Sequence, residues 1–205
     1  MTDAERIIGL YHRHAEYWDR VRGRDLLEKP CLDKFLAQMR PGASILDIGC
    51  GSGEPISRYL IEKGCHVTGV DSSPNLIGMC KSRFPNQDWI AADMRTLALS
   101  RPFDGILAWD SFFHLSPEDQ RKMFSIFMSH AKPGTTLMFT SGSSHGEAIG
   151  EFQGEALYHG SLDSSEYRLL LSNNGFDVLS HVVDDPTCGG RTIWFAQLAQ
   201  SLQLT

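Results

Sequence analysis

The sequence predicts an α/β chain: a doubly wound, seven-stranded mixed sheet, mostly parallel with an antiparallel last strand, and helices on both faces. Three observations predict it. From residue 44 onward short apolar runs alternate with helical stretches, the pattern of a parallel sheet with helical crossovers. The first strand runs straight into three alternate glycines, Gly49, Gly51 and Gly53, and then into a helix. The next strand closes on a lone acid, Asp71. The carboxyl ends of strands are where open α/β sheets hold their ligands.

Each element has its own signal. Thr2-Asp3-Ala4-Glu5 has capping-box spacing, and Ile7, Ile8, Leu10, Tyr11, Ala15 and Trp18 share a helical face. A second helix is expected over residues 25–39, with Pro30 as a kink or break. Pro41-Gly42 punctuates. Ser44–Ile48 is the first strand; Pro55 starts a helix and Gly64 ends it. Residues 66–70 are the second strand, and Ser73-Pro74 opens a helix to about Arg83. Asp88–Ala91 and Phe103–Ala108 are the third and fourth. Ser116-Pro117-Glu118 reads as N-cap, N1 proline and first-turn acid of a helix to about His130. Residues 135–140 are the fifth strand. Residues 141–162, with five glycines, read as a long loop. Asp163 to Glu166 repeats the capping-box spacing before a helix closed by Gly175. Residues 176–183 and 192–198 are the last two strands, and their short link makes them antiparallel neighbours.

Composition bounds the function. The 205 residues suit one domain, and 41% hydrophobic with 21% charged residues is ordinary for a globular chain. The net charge of -6 argues against a nucleic-acid partner, which asks for a basic face. No apolar run is long enough for a membrane helix, and residues 1–9 do not read as a signal peptide. The five cysteines are odd in number and form no CxxC, so neither a disulfide framework nor a zinc ribbon is expected. His12 and His14 stand two apart on a helix and cannot share a metal. The expectation is a reduced, cytoplasmic protein with no metal site.

The glycine run carries the chemistry. Glycine lets a ligand lie against the backbone, and the following helix N-terminus offers free N–H groups. A carboxylate at Asp71 suits two vicinal ribose hydroxyls. A dinucleotide site would need a third glycine where Glu54 stands. Glu54 and Asp47 would both repel a pyrophosphate. The same negative charge suits a ligand carrying an ammonium and a sulfonium.

These residues make the chain similar to class I S-adenosylmethionine-dependent methyltransferases of the small-molecule type, whose fold is Rossmann-like. Ile45 to Pro55 resembles that family's first motif and Val67 to Asp71 its second. Ala91-Ala92-Asp93-Met94 resembles the third, Phe103 through Leu115 the fourth, and Lys132-Pro133-Gly134 the turn into strand five. The resemblance implies that S-adenosylmethionine is bound and S-adenosylhomocysteine released. It implies that Gly49, Gly51 and Gly53 pack on the methionine part and that Asp47 holds its amino end, directly or through water. Asp71 would hold the ribose and Ser72 lie on the adenine. Asp93 would accept from the adenine amine and Met94 pack on the ring, with Trp109 beside the cofactor. Residues 1–43 would form a helical lid whose Tyr11, Trp18, Arg22 and Arg24 touch cofactor or substrate. Residues 44–205 would form the cofactor-binding core of the single domain, with residues 141–162 an insertion loop.

The acceptor is expected to be a small molecule. The place where amino-methylating nucleic-acid enzymes carry Asn/Asp-Pro-Pro-Tyr here reads Trp109-Asp110-Ser111-Phe112. Asp110 and His114, past strand four, and His159, from the insertion, are the candidate catalytic groups. His145, from the same insertion, is a further candidate, and Tyr158 is expected beside His159 around the methyl group. Two other readings are a cofactor-binding protein that transfers no methyl group and an NAD(P)-binding oxidoreductase. A monomer or homodimer is expected.

Overall fold

The computed structural model describes residues 2–200. Three helices lead in, α1 (Asp3–Arg13), α2 (Ala15–Val21) and α3 (Lys29–Leu36). Then follow β1 (Ser44–Ile48), α4 (Ile56–Glu62), β2 (His66–Asp71), α5 (Pro74–Arg83), β3 (Asp88–Ala91) and β4 (Phe103–Ala108). Next come α6 (Pro117–Ser129), β5 (Ala131–Ser141), β6 (Gly146–Phe152) and β7 (Glu155–Ser161). The chain closes with α7 (Ser164–Asn173), β8 (Phe176–Asp185) and β9 (Arg191–Leu198). Seven strands form one sheet in the order β3-β2-β1-β4-β5-β9-β8. The pairs among β1 to β5 are parallel, and β9 runs antiparallel to both β5 and β8. This is the mixed sheet that the sequence predicts.

Side-chain alternation along the strands feeds two cores. Leu46, Ile48, Ile106 and Phe139 point to a face covered by α6 and α7, where Phe112, Phe124, Tyr167 and Trp194 fill the space. Ile45, Leu107 and Met138 point to the other face, against Leu32 and Phe35 of α3, Leu60 of α4 and Ile77 of α5.

Local chemistry sets the helix ends. The Thr2 and Glu5 side chains cap α1 reciprocally. Ser116 accepts from the Asp119 N–H at 3.2 Å, with Pro117 in the first turn where its missing donor costs nothing. Pro30 likewise starts α3 and kinks nothing, so the second helix is eight residues long, not the fifteen of residues 25–39.

Two expectations are corrected. Residues 141–162 are no loose loop: β6 and β7 pair as a hairpin outside the main sheet. Its two-residue turn has positive φ at Gln153 (54°) and Gly154 (75°), which suits the twist of the flanking strands. The hairpin packs on α1 through Tyr158, against Ile7 and Leu10. Phe152 sits among the rings of Tyr11, Tyr17 and Trp18, and Glu155 takes both Arg13 and His14. The second correction is a disulfide. Cys31 of α3 and Cys188, in the link before β9, are bonded and both buried. Cys50, Cys65 and Cys80 are free.

Candidate active site

Strand order reverses between β1 and β4, and a cavity opens there at the carboxyl ends of the strands. It holds about 750 Å³ of space, its mouth included. Ile7, Ile8 and Tyr11 of α1 and Trp18 of α2 roof it. The floor is the turn after β1. Gly49 has φ 78°, and a Cβ there would lie 2.2 Å from the Cβ of Ser111, so only glycine fits. Gly51 has φ 56° and faces space: the nearest atom to a Cβ there would be the Trp18 indole nitrogen, at 3.5 Å.

Asp71 is built into this turn. Its carboxylate accepts from the Gly51 N–H at 3.0 Å and from the Ser73 N–H at 2.8 Å. Burial pushes its pKa up to about 6, although both N–H groups pull the other way. Ser72, Asp93 and Met94 line the same cavity. Asp93 caps the short 3-10 turn Met94–Thr96 and is gripped by the Arg95 guanidinium, with contacts of 2.6–3.0 Å. Burial raises the Asp93 pKa, but the Arg95 side chain and N–H outweigh it and hold the carboxyl below its usual range. Arg95 is a lining residue that the motif reading missed; its signal was its place two residues past Asp93.

Other expected residues stand back from the cavity. Asp47 lies beneath the turn, 3% exposed, and accepts from the Ser57 hydroxyl at 2.5 Å. Gly53 packs against Phe84 and Cys80. The Trp109 indole is buried in the core on the α3 side, and its N–H has no partner among the described residues. Arg22 turns to the buried Glu28, and Arg24 binds Asp19.

Burial also pushes the Asp47 pKa up to about 6, and the Asp71 charge adds to it. The sign follows. The folded chain binds these protons more tightly than the unfolded chain, so the stability they contribute is full below about pH 4 and is lost as pH rises through 6. Asp47→Asn removes one such group. The melting temperature of wild type relative to this variant is expected to fall between pH 5 and 7. A parallel pair of pH profiles would show Asp47 ionised at little cost.

Asp110 and His114 line the same cavity, with Tyr11 of the roof beside them. His114 Nδ1 is 2.8 Å from the Tyr158 carbonyl, which can only accept, so Nδ1 carries the proton. Nε2 then holds the lone pair and accepts from the Tyr11 hydroxyl at 3.0 Å. Burial pushes the His114 pKa down to about 4. Burial first, and then the charges of Asp71 and Asp110, keep the proton on Tyr11. His159 sits outside the cavity lining, its ring 4.9 Å from that of His114, and burial lowers its pKa. Tyr158 points to α1 instead. Arg191 reads in the sequence as a strand-end charge after Gly189-Gly190; the structure turns it onto Asp110.

Residues 45–134 match the family model of the methyltransferase domain. The malonyl-[acyl-carrier protein] O-methyltransferase of Pseudescherichia vulneris is 32% identical over 144 residues, 69% of this chain and 55% of that protein. The trans-aconitate 2-methyltransferase of Azoarcus sp. (strain BH72) is 31% identical over 116 residues, 56% of this chain and 42% of that one. The chain thus spans about half the length of these curated relatives. In fold it is similar to magnesium protoporphyrin IX methyltransferase from Synechocystis PCC 6803, with a TM-score of 0.74 at 19% identity, covering 97% of this chain and 98% of that one. Residues 45–134 thus match a methyltransferase domain, and the chain is similar in sequence and fold to S-adenosylmethionine-dependent methyltransferases.

Proposed function

We propose that this protein binds S-adenosylmethionine in the cavity over Gly51 and Asp71 and transfers its methyl group in line to a small molecule. The observation that carries this is the Asp71 carboxylate, tied to the Gly51 N–H and opening onto a cavity roofed by aromatic side chains. The residues suit the cofactor. Gly51 leaves a backbone floor that a Cβ would fill, and each Asp71 oxygen keeps a lone pair for a ribose hydroxyl. Asp47 and Asp71 suit a cationic ligand and not a pyrophosphate. The solved magnesium protoporphyrin IX methyltransferase holds S-adenosylmethionine, and the shared fold supports the same cofactor here.

When bound, the cofactor supplies a methyl group on a sulfonium, already activated for displacement. The protein's part is then orientation and exclusion of water, worth roughly 7–11 kcal/mol in well-aligned reactions. Trp18 and Tyr11 close the cavity from above, so within the lid expected over residues 1–43 it is α1 and α2 that cover the site, while α3 packs on the sheet. Met94 packs on the adenine and Asp93 accepts from its amine, sharing its oxygens with Arg95. Asp47 acts through the turn or a water, since Ser57 already occupies one of its oxygens. Asp110 takes the acceptor's proton if that atom carries one. The net charge of -6 supports a small acceptor over a nucleic acid. Among the described residues no helix is long and apolar enough to cross a membrane. Three free, buried cysteines support a cytoplasmic setting, where burial shields the Cys31–Cys188 bond from reductants.

Calorimetry with S-adenosylhomocysteine tests the reading. Wild type is expected to bind, and Asp71→Ala to lose about 1.5–3 kcal/mol, the worth of a hydrogen bond to a charged group. Wild-type affinity should also fall as pH drops below about 6, because Asp71 then gains a proton and loses its charge. Unaltered binding by the variant would remove Asp71 from the site.

A further inference from the structure

Asp110 and Arg191 are 81 residues apart in sequence and meet in a two-point grip. Arg191 Nε donates to both Asp110 carboxylate oxygens at 3.2 Å, and Nη2 donates to Oδ2 at 2.8 Å. The Asp110 backbone is pinned as well. Its φ is 47°, a region L-residues rarely enter, and its N–H donates to the Thr140 hydroxyl at 2.8 Å. With main chain and side chain both held, the carboxylate keeps one orientation at the cavity wall.

Arg191 is itself held from behind. Its Nη1 donates to the Gly189 carbonyl at 2.6 Å, and the negative charge of Glu28 acts on it. Glu28 is 3% exposed; Arg22 binds one of its oxygens, and the other has no hydrogen-bond partner among the described residues. Charges therefore alternate from Arg22 through Glu28 and Arg191 to Asp110. The link that leads into Arg191, the first residue of β9, is fastened to α3 by the Cys31–Cys188 bond. Such support fixes a side chain that must meet a reacting group.

We infer that Arg191 is a positioning residue: it holds the Asp110 carboxylate toward the methyl-transfer end of the cavity, where it receives a hydrogen bond from an acceptor bearing N–H or O–H on its nucleophilic atom. This rests on the methyltransferase reading above. A planar guanidinium grips a carboxylate at two points, which an ammonium cannot do.

Sinefungin tests it without turnover. In this analogue of S-adenosylhomocysteine a carbon bearing an ammonium group replaces the sulfur, so an N–H donor stands where the methyl group is attached in the cofactor. Calorimetry gives the ratio of the two affinities. Wild type is expected to prefer sinefungin at least about tenfold, the effect of a charge-assisted hydrogen bond. Asp110→Asn should bring the ratio near one. Arg191→Gln should lower it several-fold at unchanged S-adenosylhomocysteine affinity, with Arg191→Lys between. The direction separates the alternatives. If Arg191 merely screened the carboxylate, its removal would raise the ratio; if it were an incidental surface charge, the ratio would stay. Either result overturns the inference, and so does a wild-type ratio near one. Unchanged S-adenosylhomocysteine affinity reports that each variant is folded, and Asp110→Asn tests the pair from its other side. If wild type binds neither compound, the methyltransferase reading fails and this inference falls with it.

Discussion

Gly51→Val is expected to abolish measurable S-adenosylhomocysteine binding in a chain that still folds. Two costs combine. At φ 56° a β-branched residue sits in a region of the backbone map that strains it by about 1–3 kcal/mol. Its side chain would also project toward Trp18, whose indole nitrogen would be 3.5 Å from the new Cβ before any γ-methyl is added. A turn that shifts to relieve this gives up the Gly51 N–H to Asp71, and so moves the ribose-binding carboxylate as well. The core depends little on this position, because beyond its two chain neighbours only the Trp18 indole nitrogen lies within 4 Å of the added Cβ. Circular dichroism with calorimetry checks it. A variant with a native spectrum and native affinity would make the turn structural only.

Asp110→Asn is expected to lower turnover by about 10²–10⁴ at unchanged cofactor affinity, the range for loss of a proton acceptor. His114→Gln is expected to do less. Both ring nitrogens of His114 are already engaged, and burial leaves the imidazole neutral at physiological pH. Its effect passes through the Tyr11 hydroxyl that it orients. Screening a metabolite extract for new methylated products supplies an acceptor, and single-turnover rates with that acceptor rank the variants. The reverse ranking would hand the proton to His114.

The strands and glycine turns that position the cofactor were legible because each depends on neighbours in sequence. Ser44–Ile48, Asp88–Ala91 and Phe103–Ala108 begin and end where their apolar runs do. The Ser116-Pro117 start of α6 needs only its own first turn. The β6–β7 hairpin was hidden because β6 buries neither face: Glu147, Ala148, Ile149 and Gly150 are all exposed, so no period-two signal arises. Its turn uses Gln-Gly where Asn-Gly would have announced it. Arg191 and Cys188 were illegible for a different reason. Their partners, Asp110 and Cys31, come from strands and helices brought together only by the assembled sheet. Arg22 shows the reverse: a side chain of the right type at the lid was drawn off by Glu28, six residues further on.

The Cys31–Cys188 bond turns most of the chain into a covalent ring. Its ends stand 157 positions apart in sequence, and it removes about 5 kcal/mol of freedom from the unfolded chain in the entropic description. Strands β1 to β8 and every loop beneath the cavity lie inside the ring. Helices α1 and α2 are one tail, and β9 is the other. Yet β9 does not hang free: it lies between β5 and β8, two strands of the ring. A backbone cut at the exposed Gln153-Gly154 turn would therefore release nothing. The two pieces would remain one molecule, joined through sulfur at one end and through the sheet at the other, with the roof and the floor of the cavity together on the first piece and Arg191, on the second, still against Asp110.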